Sequence, residues 1–300
     1  MEQQDQVPLW RFTTLKIGGE ARRLYLPTSV DELADIVEQL AERDEPWFVL
    51  GGGSNLLVSS KGYEGSVIRT TQITGVTRVE TDVLEAGAGA RLPHLARFAA
   101  TLGLAGLEFS VGIPGTVGGG VIMNAGAHGS CMANVVESVT IYDSIERRIV
   151  TLEASQLGFQ YRKCKLSPST HVVLSARLKL IADRPEEIEA RVRHNEEYRW
   201  RTQPLGWPNA GSTFKNPEPG RGAGLLLDQA GAKTLRQGQA AVSAVHANFV
   251  INMGGATSEE VAQLMRRMQN TVYEKFQISL EPEWKTLGTF SNEEQKVWAG

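Results

Sequence analysis

Between Glu108 and Ser130 the chain reads EFSVGIPGTVGGGVIMNAGAHGS, with glycine at 112, 115, 118, 119, 120, 126 and 129 and almost no charge. Each glycine costs more backbone entropy on folding than any other residue. A compact chain tolerates such density where the backbone turns through positive φ or must approach another group closely. Bare N–H groups beside small side chains also form a natural cradle for a pyrophosphate. A set of tight turns at a domain edge is the competing reading of the same stretch.

Size and charge narrow the field. Three hundred residues exceed what one small domain needs, and 41% hydrophobic with 22% charged residues describes an ordinary globular chain. Lys plus Arg number 31 against 34 Asp plus Glu, for a net charge of −3. No basic block marks a nucleic-acid footprint, so any phosphate must be met by local cations and backbone donors. The two cysteines, Cys131 and Cys164, have no metal-ligand spacing, and a reducing cytoplasm is the simpler setting. The first residues do not read as a signal peptide, and no apolar run approaches the roughly 18 residues of a membrane span.

Periodicity gives three segments. The first, to about residue 71, carries a strand at 21–26 and a helix capped by Ser29 with Glu32. Val30, Leu33, Ile36, Val37 and Leu40 form its buried stripe. A strand at Trp47–Leu50 runs straight into Gly51-Gly52-Gly53-Ser54-Asn55, an anion-contacting turn or merely a sharp one. The second segment contains Gly87-Ala88-Gly89-Ala90-Arg91 before a helix with a stripe of Leu92, Leu95, Phe98, Ala99 and Leu102. This resembles a dinucleotide-binding turn, but Leu92 stands where the third glycine belongs, which argues against that site. Strands are expected at 135–142, 147–152 and 170–180, with Gln160–Cys164 in a loop.

The third segment begins with a sparse linking helix started by Asp183 and Glu186 and reaching about Arg199. Gly211-Ser212-Thr213-Phe214-Lys215-Asn216-Pro217 follows, then a short helix within 222–231. Strands containing His246 and Asn248 are expected across 241–252. A final helix is capped by Thr257 with Glu260 and buries Val261, Leu264, Met265, Met268 and Val272. No histidine–carboxylate cluster has metal spacing, and no G-x-S-x-G elbow is present. The residues alone support an enzyme with an anionic, nucleotide-like cofactor.

Taken in order, Thr13–Gly19, Gly51–Asn55, Glu108–Gly129, Tyr161-Arg162, Gly211–Pro217 and Leu280-Glu281-Pro282-Glu283-Trp284 make the chain resemble the UDP-N-acetylenolpyruvoylglucosamine reductase family of peptidoglycan precursor synthesis. The resemblance implies an α+β architecture, a two-part FAD-binding fold of the vanillyl-alcohol-oxidase/PCMH type with a C-terminal substrate-binding domain. Its boundaries would be 1–71, 72–182 and 183–300. It also implies flavin contacts from Gly51, Gly52, Gly53, Ser54, Asn55 and Leu56, from Ser110, Ile113, Pro114, Gly115, Thr116, Gly118 and Gly119, and from Asn124 and Gly126.

In the family reaction NADPH reduces FAD and leaves. Reduced flavin N5 then delivers hydride to C3 of the enolpyruvyl group of UDP-N-acetylglucosamine enolpyruvate, and a proton quenches C2. By resemblance Ser212 is the proton donor, with a turn serine bonded to backbone as the alternative. Arg162 meets the substrate carboxylate, with a surface ion pair as the alternative. Glu283, favoured over its neighbour Glu281, is a protonated carboxyl that donates to the same carboxylate. Tyr161, Lys215, Asn216, Gln229, His246 and Asn248 are candidate substrate contacts. Cys164 and Trp284 depart from the family's usual serine and valine. The short run from Tyr161 to Ser175 matches the more open type, without an extra substrate-covering loop. A monomer or weak oligomer, binding neither nucleic acid nor membrane, is expected. A different flavin oxidase and a flavin-binding protein without turnover are the rival functions.

Overall fold

The computed structural model describes residues 2–217 and 220–299. By internal packing they divide into two compact units. The first takes the chain up to Asp5, Arg23–Gly52 and Gly65–Arg199; the second takes Gln6–Arg22, Gly53–Glu64 and the chain from Trp200 onward. The segment from Gly65 to Arg199 falls within the first unit.

In the first unit, helix α1 (Val30–Glu42) lies on the strand segments 2–5, 23–26, 65–69 and 47–50, paired in that order, with Trp47–Leu50 parallel to Ser66–Arg69. The expected stripe is buried at Leu33, Ile36, Val37 and Leu40, and Val30 packs at its edge. Ser29 Oγ accepts from the Glu32 amide at 3.1 Å. The Glu32 carboxylate reaches one residue further back, to the Thr28 amide at 2.8 Å and hydroxyl at 3.0 Å.

The second layer of this unit is an antiparallel five-stranded sheet ordered 148–153, 136–143, 171–179, 83–87, 76–80. Helices α2 (Leu92–Thr101) and α3 (Val117–Ile122) cover it, joined by α4 (Pro185–Thr202) through Ile188 and Val192. Phe98 is a correction, since it lies 40% exposed. The face that α2 buries is centred on Leu92, Leu95, Ala96 and Ala99. At about 100° per residue Phe98 falls well to one side of that line.

The second unit is built around α6 (Ser258–Phe276), reached after the short α5 (Ala223–Gln229). Val261, Leu264, Met265, Met268 and Val272 are fully buried among Leu15, Ile17, Leu57, Phe214 and Trp284. The methionines are thus core filling, as their spacing suggested. A three-stranded antiparallel sheet, 236–237, 240–242 and 250–252, packs here, and Leu56–Val58 pairs parallel with Lys285–Leu287. His246 and Asn248 lie in the connection between 240–242 and 250–252, not within a strand. No described helix is long and apolar enough to cross a membrane.

The N-terminus of α6 carries a reciprocal capping box: Thr257 Oγ1 accepts from the Glu260 amide at 3.1 Å, and Glu260 accepts from the Thr257 amide at 3.1 Å. Thr257→Ala should therefore cost about 1 kcal/mol of stability. An unchanged urea midpoint would show that the cap contributes nothing.

Candidate functional site

In the first unit the glycines explain themselves by what a side chain would strike. A Cβ on Gly51 would sit 2.4 Å from Thr116 Oγ1, and one on Gly52 would lie 3.3 Å from Gly115 Cα. Two backbone segments from distant parts of the chain thus meet without side chains between them. Gly118 and Gly120 serve packing, since a Cβ there would press at 3.2 Å on Ala88 and Leu92. Those contacts seat α3 on the 88–92 turn, where the Val117 and Gly118 amides donate to the Ala90 and Ala88 carbonyls at 2.9 Å. The turn at Gly87–Arg91 needs Gly89 because the Thr70 carbonyl stands 2.0 Å from where its Cβ would be. Gly119 and Pro114 are exposed, while Ile113 and Gly115 are half-buried.

Thr116 Oγ1 is buried and has no hydrogen-bond partner among the described residues. Arg91 pairs with Thr116 through an isolated antiparallel bridge. Arg69 is the strand partner of Leu50, the residue before Gly51. Burial, reinforced by repulsion from Arg91, holds the Arg69 guanidinium below its ordinary pKa. An orphaned hydroxyl, two backbone segments in close approach and two mutually repelling arginines have the chemistry to meet a dianion. These residues fit the pyrophosphate of a flavin dinucleotide. Sequence reading did not single out Arg69 or Arg91, because only parallel strand pairing and the 91–116 bridge bring them to Gly51 and Thr116. Arg199 went unnoticed as well. It packs beside Gly112, 3.1 Å from where a Cβ would lie, and burial lowers its pKa.

Two expected flavin contacts are occupied by the fold itself. Ser110 is fully buried, and its hydroxyl donates to the Leu107 carbonyl at 2.8 Å. Asn124, with φ of 41°, donates from Nδ2 to the Gln160 carbonyl at 2.9 Å. Its Oδ1 accepts from the Ala133 amide at 2.9 Å. Gly126 opens a hairpin whose two turn residues, His128 and Gly129, both have positive φ, and a Cβ on it would strike the Ser130 carbonyl at 2.5 Å.

Tyr161 and Arg162 form the tip of a tight turn closed by Gln160 and Lys163, with amide-to-carbonyl bonds of 2.9 and 3.3 Å. Arg162 has φ of 59°, a left-handed conformation that costs a non-glycine residue free energy and recurs at functional positions. Its guanidinium lies 5.1 Å from the half-exposed Tyr161 ring. Cys164 is an unpaired thiol packed at the edge of this unit's core; burial pushes its pKa up, as for an inert small filler.

The second unit holds Gly53–Leu56 together with the C-terminal candidates. Gly53 has φ of 61°, and a Cβ on it would meet the Phe12 carbonyl at 2.1 Å. Asn55 Nδ2 donates to the Glu283 carbonyl at 3.2 Å, and Leu56 is buried in register with Lys285. Ser54 is half-buried. Of the expected flavin list, therefore, Gly51 and Gly52 belong to the first unit and Gly53–Leu56 to the second.

Short antiparallel pairing sets the segments that carry Ser212 and Glu283 side by side. The Glu283 amide donates to the Thr213 carbonyl at 2.9 Å, and the Lys215 amide to the Glu281 carbonyl at 2.9 Å. Asn248 clamps the same stretch. Its Oδ1 accepts from the Phe214 amide at 3.0 Å, its Nδ2 donates to the Phe214 carbonyl at 2.8 Å, and its own carbonyl takes the Thr213 amide at 2.8 Å. Both polar atoms of the Asn248 amide are thereby committed to backbone next to Ser212.

Residues two apart on an extended strand share a face, so alternation does not separate Glu281 from Glu283. The ion pair does: Glu281 is exposed and bonded to Lys215 Nζ, whereas Glu283 is half-buried. Asn216 Oδ1 accepts from the Ala223 amide at 3.0 Å and so holds the start of α5. Gln229 ends α5 in an exposed position, its carbonyl accepting from Lys275. His246 Nδ1 accepts from the Asn248 amide at 3.2 Å, and its ring stacks edgewise on Phe249 at 4.9 Å. Burial, then Lys233, lowers its pKa. Trp284 is fully buried in this unit's core, which accounts for an aromatic ring at that position. Arg162 belongs to the first unit; Ser212 and Glu283 belong to the second.

Comparison with known proteins adds an independent finding. Residues 21–151 match the FAD binding domain family model. Residues 203–287 match the model for the C-terminal domain of UDP-N-acetylenolpyruvoylglucosamine reductase. The reductase of that name from Caldicellulosiruptor saccharolyticus is 42% identical over 285 residues, 94% of this chain and 91% of its own. One from Synechococcus sp. strain RCC307 is 43% identical over 95% of this chain and 94% of its own. The crystal structure of the Thermus caldophilus reductase (MurB) superposes with a TM-score of 0.80 at 38% identity, covering 95% of this chain and 98% of that one. These matches describe an FAD-binding domain followed by the C-terminal domain of the reductase.

Thr116→Val keeps the shape of the side chain and removes only the orphaned hydroxyl. Losing one hydrogen bond to a charged phosphate should weaken FAD binding to the stripped protein by about 10- to 100-fold. Without FAD the variant should melt higher than the parent, because the unpaired buried hydroxyl is gone. Unaltered FAD affinity would remove Thr116 from the cofactor site.

Proposed function

Since the chain belongs to the UDP-N-acetylenolpyruvoylglucosamine reductase family, we propose that it reduces UDP-N-acetylglucosamine enolpyruvate to UDP-N-acetylmuramate with NADPH as the electron source. The chain is an FAD-dependent oxidoreductase acting on the enolpyruvyl UDP-sugar. When bound, FAD supplies hydride, taken from NADPH and passed to C3 of the substrate. The cytoplasm, where NADPH is available, is the proposed setting. Functionally, 1–71 and 72–182 would serve the flavin and 183–300 the substrate.

The chain's own residues must hold the cofactor, orient the alkene and manage charge and protons. The crevice at Gly51, Gly52, Gly115 and Thr116 takes the pyrophosphate, with Arg69 and Arg91 offsetting its charge. Arg162 offers a planar fork of donors to the substrate carboxylate, whose oxygens gain charge as C3 is reduced. Ser212 delivers a proton to C2. A serine hydroxyl is a weak acid, so the position of the hydroxyl must make up for its pKa. Glu283, in its protonated form, donates to the same carboxylate. Lys215 reaches a substrate phosphate only by leaving Glu281.

The observation that carries this reading is the clamp on the backbone that follows Ser212. Three hydrogen bonds from Asn248 fix Thr213 and Phe214, and the Glu283 amide closes on Thr213 from the other side. The test uses the purified yellow protein, bleached by NADPH without oxygen and then mixed with the UDP-enolpyruvyl sugar. Stoichiometric return of flavin absorbance is expected; no return with that sugar would overturn the assignment.

Ser212→Ala should leave bleaching by NADPH intact while slowing reoxidation by about 10²- to 10⁴-fold. Equal slowing of both halves would contradict proton donation by Ser212. In Arg162→Lys a point charge replaces the fork, and reoxidation should fall by about 10- to 100-fold. A rate near that of the parent would argue against carboxylate recognition by Arg162.

A further inference from the structure

Asn124 closes a link that neither the flavin nor the substrate requires of a cofactor contact. Its side chain is 6% exposed, and both polar atoms of its amide bond to backbone inside the first unit. Nδ2 holds the Gln160 carbonyl, Oδ1 holds the Ala133 amide, and the backbone N–H donates to the Val121 carbonyl at 3.1 Å. With one donor and one acceptor already spent at good distances, the amide is committed to the fold.

The carbonyl it holds belongs to the first residue of the turn that carries Arg162. That hairpin is closed by the reciprocal Gln160–Lys163 bonds and, below them, by the Lys165 amide on the Leu157 carbonyl at 2.8 Å. Its tip is otherwise a surface turn, with Gln160, Tyr161 and Lys163 all exposed. Arg162 there adopts φ of 59°, so the aim of its side chain depends on a conformation the residue does not favour by itself. Asn124 is itself left-handed, within the glycine-rich segment and just after α3. The two unusual backbone conformations are therefore joined by one side-chain hydrogen bond.

We infer that Asn124 is a positioning residue: through Gln160 it fixes the Arg162 turn to the glycine-rich segment, so that the arginine fork is aimed relative to the flavin loop. The inference rests on the role proposed above for Arg162. It makes Asn124 neither a flavin ligand nor a catalytic residue.

Asn124→Asp is nearly isosteric, keeps the acceptor toward Ala133 and loses the donor toward Gln160. Two measurements on the FAD-loaded variant and parent separate the possibilities. In the first, hydrogen–deuterium exchange at the Gln160 and Lys163 amides should rise at least several-fold in the variant. Unchanged exchange there overturns the inference whatever the chemistry proves to be. In the second, the half-reactions are timed separately. FAD retention and bleaching by NADPH should match the parent, while reoxidation by the UDP-enolpyruvyl sugar should slow by about 10²-fold, the scale expected for a misplacement near 1 Å.

Combining Asn124→Asp with Arg162→Lys should be clearly less than multiplicative, because both act through one side chain. Loss of FAD, or equal slowing of both half-reactions, would mean that Asn124 supports the flavin site at large and would overturn the inference. If Asn124→Asp does not fold, the same readings are taken from Asn124→Ser. If the parent's reduced flavin is not reoxidised by the sugar, the functional reading fails, and the exchange measurement still decides whether Asn124 holds the turn.

Discussion

Everything in the first unit's candidate site follows from one close approach, that of Gly51-Gly52 to Gly115-Thr116. A methyl group on Gly51 would overlap Thr116 Oγ1 at 2.4 Å. The parallel pairing of 47–50 with 63–69 brings the first segment there, and the bonds of Leu92 and Val117 to Gly115 and Ala90 bring the second. The result is a close approach of two backbone segments beside a buried, unsatisfied hydroxyl, with Arg69 paired to the strand residue before Gly51. Leaving a buried hydroxyl unpaired costs about 1–3 kcal/mol. A bound anion repays that cost, and the empty fold carries it.

The same economy of means recurs in the second unit, with asparagine in place of glycine. Asn248 pairs with the Phe214 backbone in the manner of a strand residue, although it sits in a loop. Asn252 likewise receives the Gly254 and Ala256 amides and donates to the Leu15 carbonyl. Asparagine suits this task because one planar group offers both a donor and an acceptor. Reactive side chains can then stand on short, irregular segments that no regular sheet would hold.

Much of this was legible beforehand, and the reasons are specific. The stripes of α1 and α6 and the Thr257–Glu260 box are local, so periodicity and spacing reveal them directly. The ordered motifs identified the family. What stayed hidden was set by partners distant in the chain. Arg69 and Arg91 gain meaning only from strand register and a lone bridge. Phe98 looked apolar enough for the stripe of α2, yet alanines at 96 and 99 define the buried line. Ser110, Asn124 and Asn248 sit in the right motifs, but their polar atoms turn out to hold backbone. Lys215 could not be seen to pair with Glu281 until the 213–215 and 281–283 segments were known to be adjacent.

The account stands or falls on where the flavin's pyrophosphate sits. A crystal structure of the FAD-loaded protein measures that directly. The account predicts a phosphate oxygen within hydrogen-bonding distance of Thr116 Oγ1, over the Gly51–Gly52 crevice. A pyrophosphate bound elsewhere, with Thr116 Oγ1 still unpartnered and the crevice filled by water, would contradict it.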